Sequence, residues 1–157
     1  MSVQISTPTP SDAPTDETAR DVALCRATLY AALALGFRPP TAETRERLTT
    51  KHAVAALADA AEPIDAGSGH AALFAATAAL AERPADLGRM VTRHRRWFGH
   101  TARGEVPAYE TEYGDEAFFQ QPQDLSDLGG FMEAFGLVLR SDAHERIDHV
   151  SCECEFL

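Results

Sequence analysis

Scarcity says a good deal about this chain. Three cysteines, Cys25, Cys152 and Cys154, make no disulfide framework, and no C-x-x-C is present. No run of eighteen apolar residues occurs, so the sequence offers no membrane-spanning helix and no stable membrane insertion is expected. The N-terminus has neither a basic n-region nor an apolar h-region, which removes a secretory signal and makes a cytoplasmic location the expectation. The Arg95-Arg96 pair is internal and is not an export signal. Basic residues are outnumbered, 14 against 24 acids, and the net charge of −10 excludes nucleic acid as a partner. The same charge favours a basic peptide or protein surface. Alternation of apolar and polar residues never persists for five residues beyond the N-terminal tail, so strands are not expected either.

Helical periodicity is plentiful. Residues 1–15, rich in Ser, Thr and Pro, read as a disordered tail, and 16–157 as one domain. Asp16 and Glu17 suit a first turn, Val22, Cys25, Leu29 and Leu33 follow at helical spacing, and Gly36 reads as the stop before Pro39-Pro40. Thr41 caps a short helix to about Leu48. A further helix spans 51–61 with Val54, Leu57 and Ala61 inward, and 62–69 reads as a loop because of its Pro and Gly. Ser68 is expected to cap an alanine-rich helix to Glu82, with Leu73, Ala76 and Leu80 as its stripe. Pro84 opens the next, whose inner face is Leu87, Met90, Val91, His94 and Phe98 and whose outer face is basic. Residues 104–122 lack a helical stripe, yet combine Tyr109, Tyr113, Phe118 and Phe119 with five acids. The stripe Leu125, Leu128, Met132, Phe135 and Leu139 then gives another helix. The expected fold is all-α, a single bundle-like domain of about six or seven helices.

The C-terminal run ERIDHVSCECEFL carries the chemistry. A capping box of Asp142 and Glu145 would open a helix at about 143, burying Ile147, Val150, Cys154 and Leu157. His149, Glu153 and Phe156 would line a second face, and Asp148 with Cys152 a third. Lacking a stop signal, this helix reads as cut short and the domain as incomplete at its C-terminal end. A C-x-C pair on a helix sends its thiols about 200° apart, and no fourth ligand accompanies His149, Cys152 and Cys154, so the cysteines read as small packed residues rather than a metal or redox site. Asp148 and His149 as acid–base or metal groups of a helical enzyme form the alternative reading. It is disfavoured because the two side chains would point about 100° apart and no nucleophile motif accompanies them.

These runs resemble a known family. ERIDHVSCECEFL is similar to the ERxDHxxxELEF signature of the TorD/DmsD/NarJ family of cytoplasmic molybdoenzyme chaperones, and VPAYETEYG to its P-Y-E-x-x-Y segment. Tyr30 to Pro39, the Trp97-Phe98-Gly99 corner and the run from Leu125 to Leu137 also match, in the expected order over about residues 20–157. The resemblance implies an all-helical chaperone, not an enzyme. Such a chaperone binds the twin-arginine leader and apo form of an exported molybdopterin oxidoreductase until cofactor is inserted. It implies no cofactor or metal of the chaperone's own. Two departures from the family pattern are the pair Cys152 and Cys154, which replace residues that are usually aliphatic, and the end at Leu157, where family members generally continue for several more helices, so a truncated chain is the expectation.

Recognition of two guanidinium groups followed by an apolar stretch requires carboxylates beside an aromatic groove. Glu110, Glu112, Asp148 and Glu153 are the candidate acids, and Tyr109, Tyr113, Trp97 and Phe156 the candidate rings. His149 is the remaining candidate contact. Each has a structural alternative: Asp148 and His149 as ties between the 104–122 loop and the last helix, Glu153 as the ion partner of His149, and Trp97 as core. A homodimer is left open.

Overall fold

The computed structural model describes residues 16–68, 71–82, 86–99, 104–113, 117–140 and 145–157, with the side chains of 68, 81 and 117–120 left aside. Among them the chain is all-α: α1 (Asp16–Phe37), α2 (Ala42–Thr49), α3 (Lys51–Ser68), α4 (Ala72–Glu82), α5 (Leu87–Phe98), α6 (Ala117–Ala134) and α7 (Val150–Phe156), with a 3₁₀ turn at Glu110–Glu112. The expected tail at 1–15, the Asp142 end of the capping box and the Pro84 opening lie outside the described residues. No helix among the described residues is long and apolar enough to cross a membrane.

α1 is the hub. The α3–α4 pair packs on it, α2 bridges them, and α7 lies against α1 as well, while α6 meets the 3₁₀ turn. Ala34 of α1 and Val54, Leu57, Ala60 and Ala61 of α3 are buried, so small residues let these two helices approach closely. An apolar cleft of about 380 Å³ remains among the helices, lined by Leu29, Leu33, Phe37, Leu57, Leu80 and Phe98.

Several boundaries differ from the sequence reading, each for a local reason. Gly36 does not stop α1, which runs to Phe37 and ends before Pro39. Of the expected loop over 62–69, residues 62–68 are helical, because α3 continues through Pro63 to Ser68, and Gly69 lies outside the described residues. Proline removes one donor but leaves the helix free to continue where neighbouring contacts hold it. Here Ala60 and Ala61 are buried just before the ring, and Asp65 is fixed just after it. The Asp65 carboxylate accepts from Leu73 N at 3.3 Å and Phe74 N at 2.8 Å, so an acid on α3 caps α4, the role expected of Ser68. Within α4 the buried residue is Thr77, while Leu73 and Ala76 border the cleft. Replacing Asp65 by Ala should remove about 1–2 kcal/mol, read as a lowered thermal midpoint; an unchanged midpoint would show that α4 needs no cap.

α6 likewise opens before Pro122, inside the segment expected to be irregular, and ends at Ala134, two residues before Gly136, whose φ of 73° suits glycine. Thr41 does cap α2, accepting from Thr44 N at 3.0 Å. Asp86 caps α5 through Gly88 N and Arg89 N.

Candidate functional site

The largest departure lies in the C-terminal run. A helix from about 143 is not what forms: α7 begins at Val150, and residues 145–149 are a turn followed by extended backbone. The cause is long-range pairing. Glu110 N donates to Asp148 O at 2.9 Å and Val150 N to Ala108 O at 2.9 Å, so Tyr109 and His149 face each other across an antiparallel bridge. Backbone groups that a helix would have used internally are spent on the loop instead.

Side chains reinforce that bridge. Asp148 is fully buried, and Arg146 grips it with a fork, Nε to Oδ1 at 3.0 Å and Nη2 to Oδ2 at 2.7 Å. The Thr111 hydroxyl donates to Asp148 Oδ2 at 2.7 Å and accepts from Arg146 Nη2 at 2.7 Å and from Gln121 Nε2 at 3.0 Å. Thr111 N adds a longer bond to the same carboxylate oxygen. Arg146 also lies 4.4 Å above the Tyr109 ring. One buried carboxylate thus fixes the loop, the turn after it and α6 in a single network.

On the other side of the extended segment, His149 caps α7. Its Nδ1 accepts from Ser151 N at 3.1 Å, so the ring is the Nε2–H tautomer and neutral, with Nε2 4.0 Å from Glu145 Oε2. Burial depresses the imidazole pKa against the opposing pull of Glu145 and Asp148. The unfolded chain therefore takes up this proton at higher pH than the folded one. Stability is complete above the ordinary histidine range near 6.5 and falls as pH drops from there toward the depressed folded value. A thermal midpoint that declines through this window, and a flatter profile for His149→Asn, are the expected results; parallel profiles would remove His149 from the cause.

Tyr109 stacks edge-on against His149 with centroids 5.1 Å apart, and its hydroxyl donates to Glu145 Oε1 at 3.0 Å. Burial and that glutamate push the phenol up to about 12. Glu145, not Glu153, is therefore the acid beside His149. Tyr113 is 62% exposed, with its hydroxyl donating to Pro107 O at 2.7 Å.

Glu153 sits one helical turn along α7 and faces the 3₁₀ turn. Partial burial, then the charge of Glu110 and that of Asp148, push its carboxyl upward. Among the described residues neither Glu110 nor Glu153 has a basic partner. The Glu153 carboxyl thus lies within electrostatic reach of Glu110, and among the described residues no ion pair offsets either. Past them Phe156 contacts Phe131 and Phe135 at 5.2–5.3 Å, beside the exposed Leu137, Val138 and Leu139. Contrary to the expected stripe, Leu157 is exposed.

The fold gathers Tyr109, Glu110, Glu112, Tyr113, Asp148, His149 and Glu153 around one bridge, with Phe156 following along α7. Trp97 does not join them by its ring, which is 47% exposed on α5. Its carbonyl accepts from Val106 N at 2.8 Å, and there Gly104 lies so close that a Cβ would meet Phe98 and Gly99 backbone at 2.3–2.4 Å. Arg146, Thr111, Gln121, Glu145 and Ser151 were missed. Arg146 and Asp148 meet because they stand in one turn, closed by His149 N donating to Arg146 O at 3.1 Å. Reading a helix there concealed it.

Burial raises the Cys152 and Cys154 thiols, which keeps them protonated and poor as nucleophiles or ligands. No group of three His, Cys, Asp or Glu placed to hold a metal occurs among the described residues.

Against known families, the model described as nitrate reductase delta subunit matches residues 50–157, more than half of the chain. The chain belongs to the nitrate reductase delta subunit family. No curated protein and no solved structure matches it. The delta subunit family is one of chaperones that work in the maturation of nitrate reductase-type molybdoenzymes, not a family of enzymes. The match covers α3 to α7 and hence the whole Asp148 network, from Ala108 to Ser151.

Proposed function

We propose that this chaperone acts in the cytoplasm by gripping the twin-arginine leader of an exported molybdopterin oxidoreductase, holding the apoenzyme until its cofactor is inserted. The observation that carries this reading is the uncompensated pair Glu110 and Glu153, set one turn from the Phe131, Phe135 and Phe156 cluster. A leader presents two guanidinium groups and then an apolar stretch, and this surface offers the complement in that order. Glu110 and Glu153 each take a guanidinium, Glu112 adds charge at the rim, and the exposed Tyr113 ring offers a stacking face. The three phenylalanines receive the apolar part.

Asp148 serves this contact without touching the leader. Its carboxylate is already filled by Arg146 and Thr111, so it positions Glu110 by holding the turn. His149 acts likewise by fixing the start of α7, which carries Glu153. Titration with a leader peptide and its Lys-Lys counterpart tests the reading. The Arg-Arg peptide should bind several-fold more tightly, because ammonium groups cannot reproduce the fork; equal affinities, or none for either, overturn the proposal.

A further inference from the structure

A second surface is not used by the leader reading. α5, Leu87–Phe98, holds four arginines and no acid in a chain whose net charge is −10. Arg89, Arg93, Arg95 and Arg96 are all exposed, while Leu87, Met90, Val91, His94 and Phe98 are turned half inward. His94 Nε2 lies 3.0 Å from Phe37 O, and Phe98 packs on Phe37, so this inner face is anchored to the end of α1. At about 100° per residue, Arg89, Arg93 and Arg96 form one stripe, and Trp97 stands about 40° beyond Arg93. Beside Trp97, Val106 is also exposed and is tied to it by the bond from Val106 N to Trp97 O at 2.8 Å. Among the described residues the acids beside this face are the N-cap Asp86, whose carboxylate is taken up by Gly88 N and Arg89 N, and Glu105, which pairs with Arg96 at 3.2 Å; neither Arg89 nor Arg93 forms an ion pair among them.

A cationic stripe edged by an exposed indole and an aliphatic side chain is the surface of a helix that lies at a lipid interface. An acidic protein would also suit the arginines; the ordering of a cationic stripe flanked along one helix edge by an indole and an aliphatic side chain favours the lipid surface. We propose that α5 docks this chaperone, reversibly and in one orientation, on an anionic membrane surface, with the arginines on lipid phosphates and Trp97 at headgroup depth. The acidic remainder of the molecule is repelled by such a surface, so attachment is oriented, weak and strongly dependent on salt. Each arginine removed should lower the partition coefficient about five-fold.

Trp97 is the chain's single tryptophan, which makes its fluorescence a direct reporter. The test uses the full chain with vesicles of phosphatidylcholine, alone and with about a third of phosphatidylglycerol. The expected result is a blue shift of Trp97 emission and co-sedimentation with the anionic vesicles only, both reversed by high salt. Arg89→Gln with Arg93→Gln should reduce binding about twenty-five-fold at unchanged circular dichroism, whereas Arg20→Gln with Arg26→Gln on α1 should not. No binding, binding without a Trp97 shift, or equal loss in the two variants each overturns the proposal. Capture by a polyglutamate resin but not by vesicles overturns it too, assigning the stripe to an acidic protein.

Discussion

Arg146→Ala should cost about 3–5 kcal/mol of stability, seen as a thermal midpoint lowered by roughly 10 °C. The magnitude follows from what is left behind. Asp148 is fully buried, and without the guanidinium fork its charge keeps only the Thr111 hydroxyl and amide. An ion so enclosed cannot rehydrate in place, and the loop bridge must open to let water in. Asp148→Ala should cost less, about 3 kcal/mol, because the stranded Arg146 side chain is already 36% exposed and can turn to solvent. The order of the two effects is the informative part. Helicity should persist in both variants, since α1 to α4 do not draw on this network. Equal and small losses would mean that the fork is a surface ion pair in disguise.

The opposite profile is expected of Glu110→Gln with Glu153→Gln. These carboxylates repel one another in the free protein and hold no cation among the described residues, so neutralising them should leave the thermal midpoint unchanged or slightly higher. Leader binding should nevertheless fall about thirty-fold, from about 1 kcal/mol per partly exposed charge-assisted contact. Raised salt should weaken the wild-type complex and barely touch the variant's. Calorimetric titration reads both quantities. Loss of stability together with binding would instead place these glutamates in the scaffold.

Much of the fold was legible because helices announce themselves locally. The Val54, Leu57, Ala61 stripe and the Thr41 cap needed no knowledge of the rest of the chain. What escaped notice was whatever depends on distant residues. Pro63 and Pro122 read as breaks, yet each helix passes through its proline, and beyond Pro63 the Asp65 carboxylate of α3 pins the chain to the start of α4. Residues 145–149 carry a helical pattern, yet they form a turn closed by His149 N on Arg146 O and leading into an extended His149, because 108–110 compete for their backbone. That competition turned Asp148 inward and left Glu153 to face Glu110. The tie of the 104–122 loop to the last helix through Asp148 and His149 was readable as an alternative, whereas the parts of Arg146, Thr111 and Gln121 in it were not. His149 shows the limit well: as a helix-face residue it suggested either contact or a tie to the loop, and its role as the cap of α7, accepting from Ser151 N, was not foreseen.

The central claim is that Glu110 and Glu153 hold the leader's guanidinium groups directly. A double-mutant cycle addresses it, pairing the Glu110→Gln, Glu153→Gln protein with the Lys-Lys peptide in titration calorimetry. If the contact is direct, the two changes together should cost little more than either alone, with a coupling of about 1–2 kcal/mol. Additive losses, with no coupling, would contradict the account.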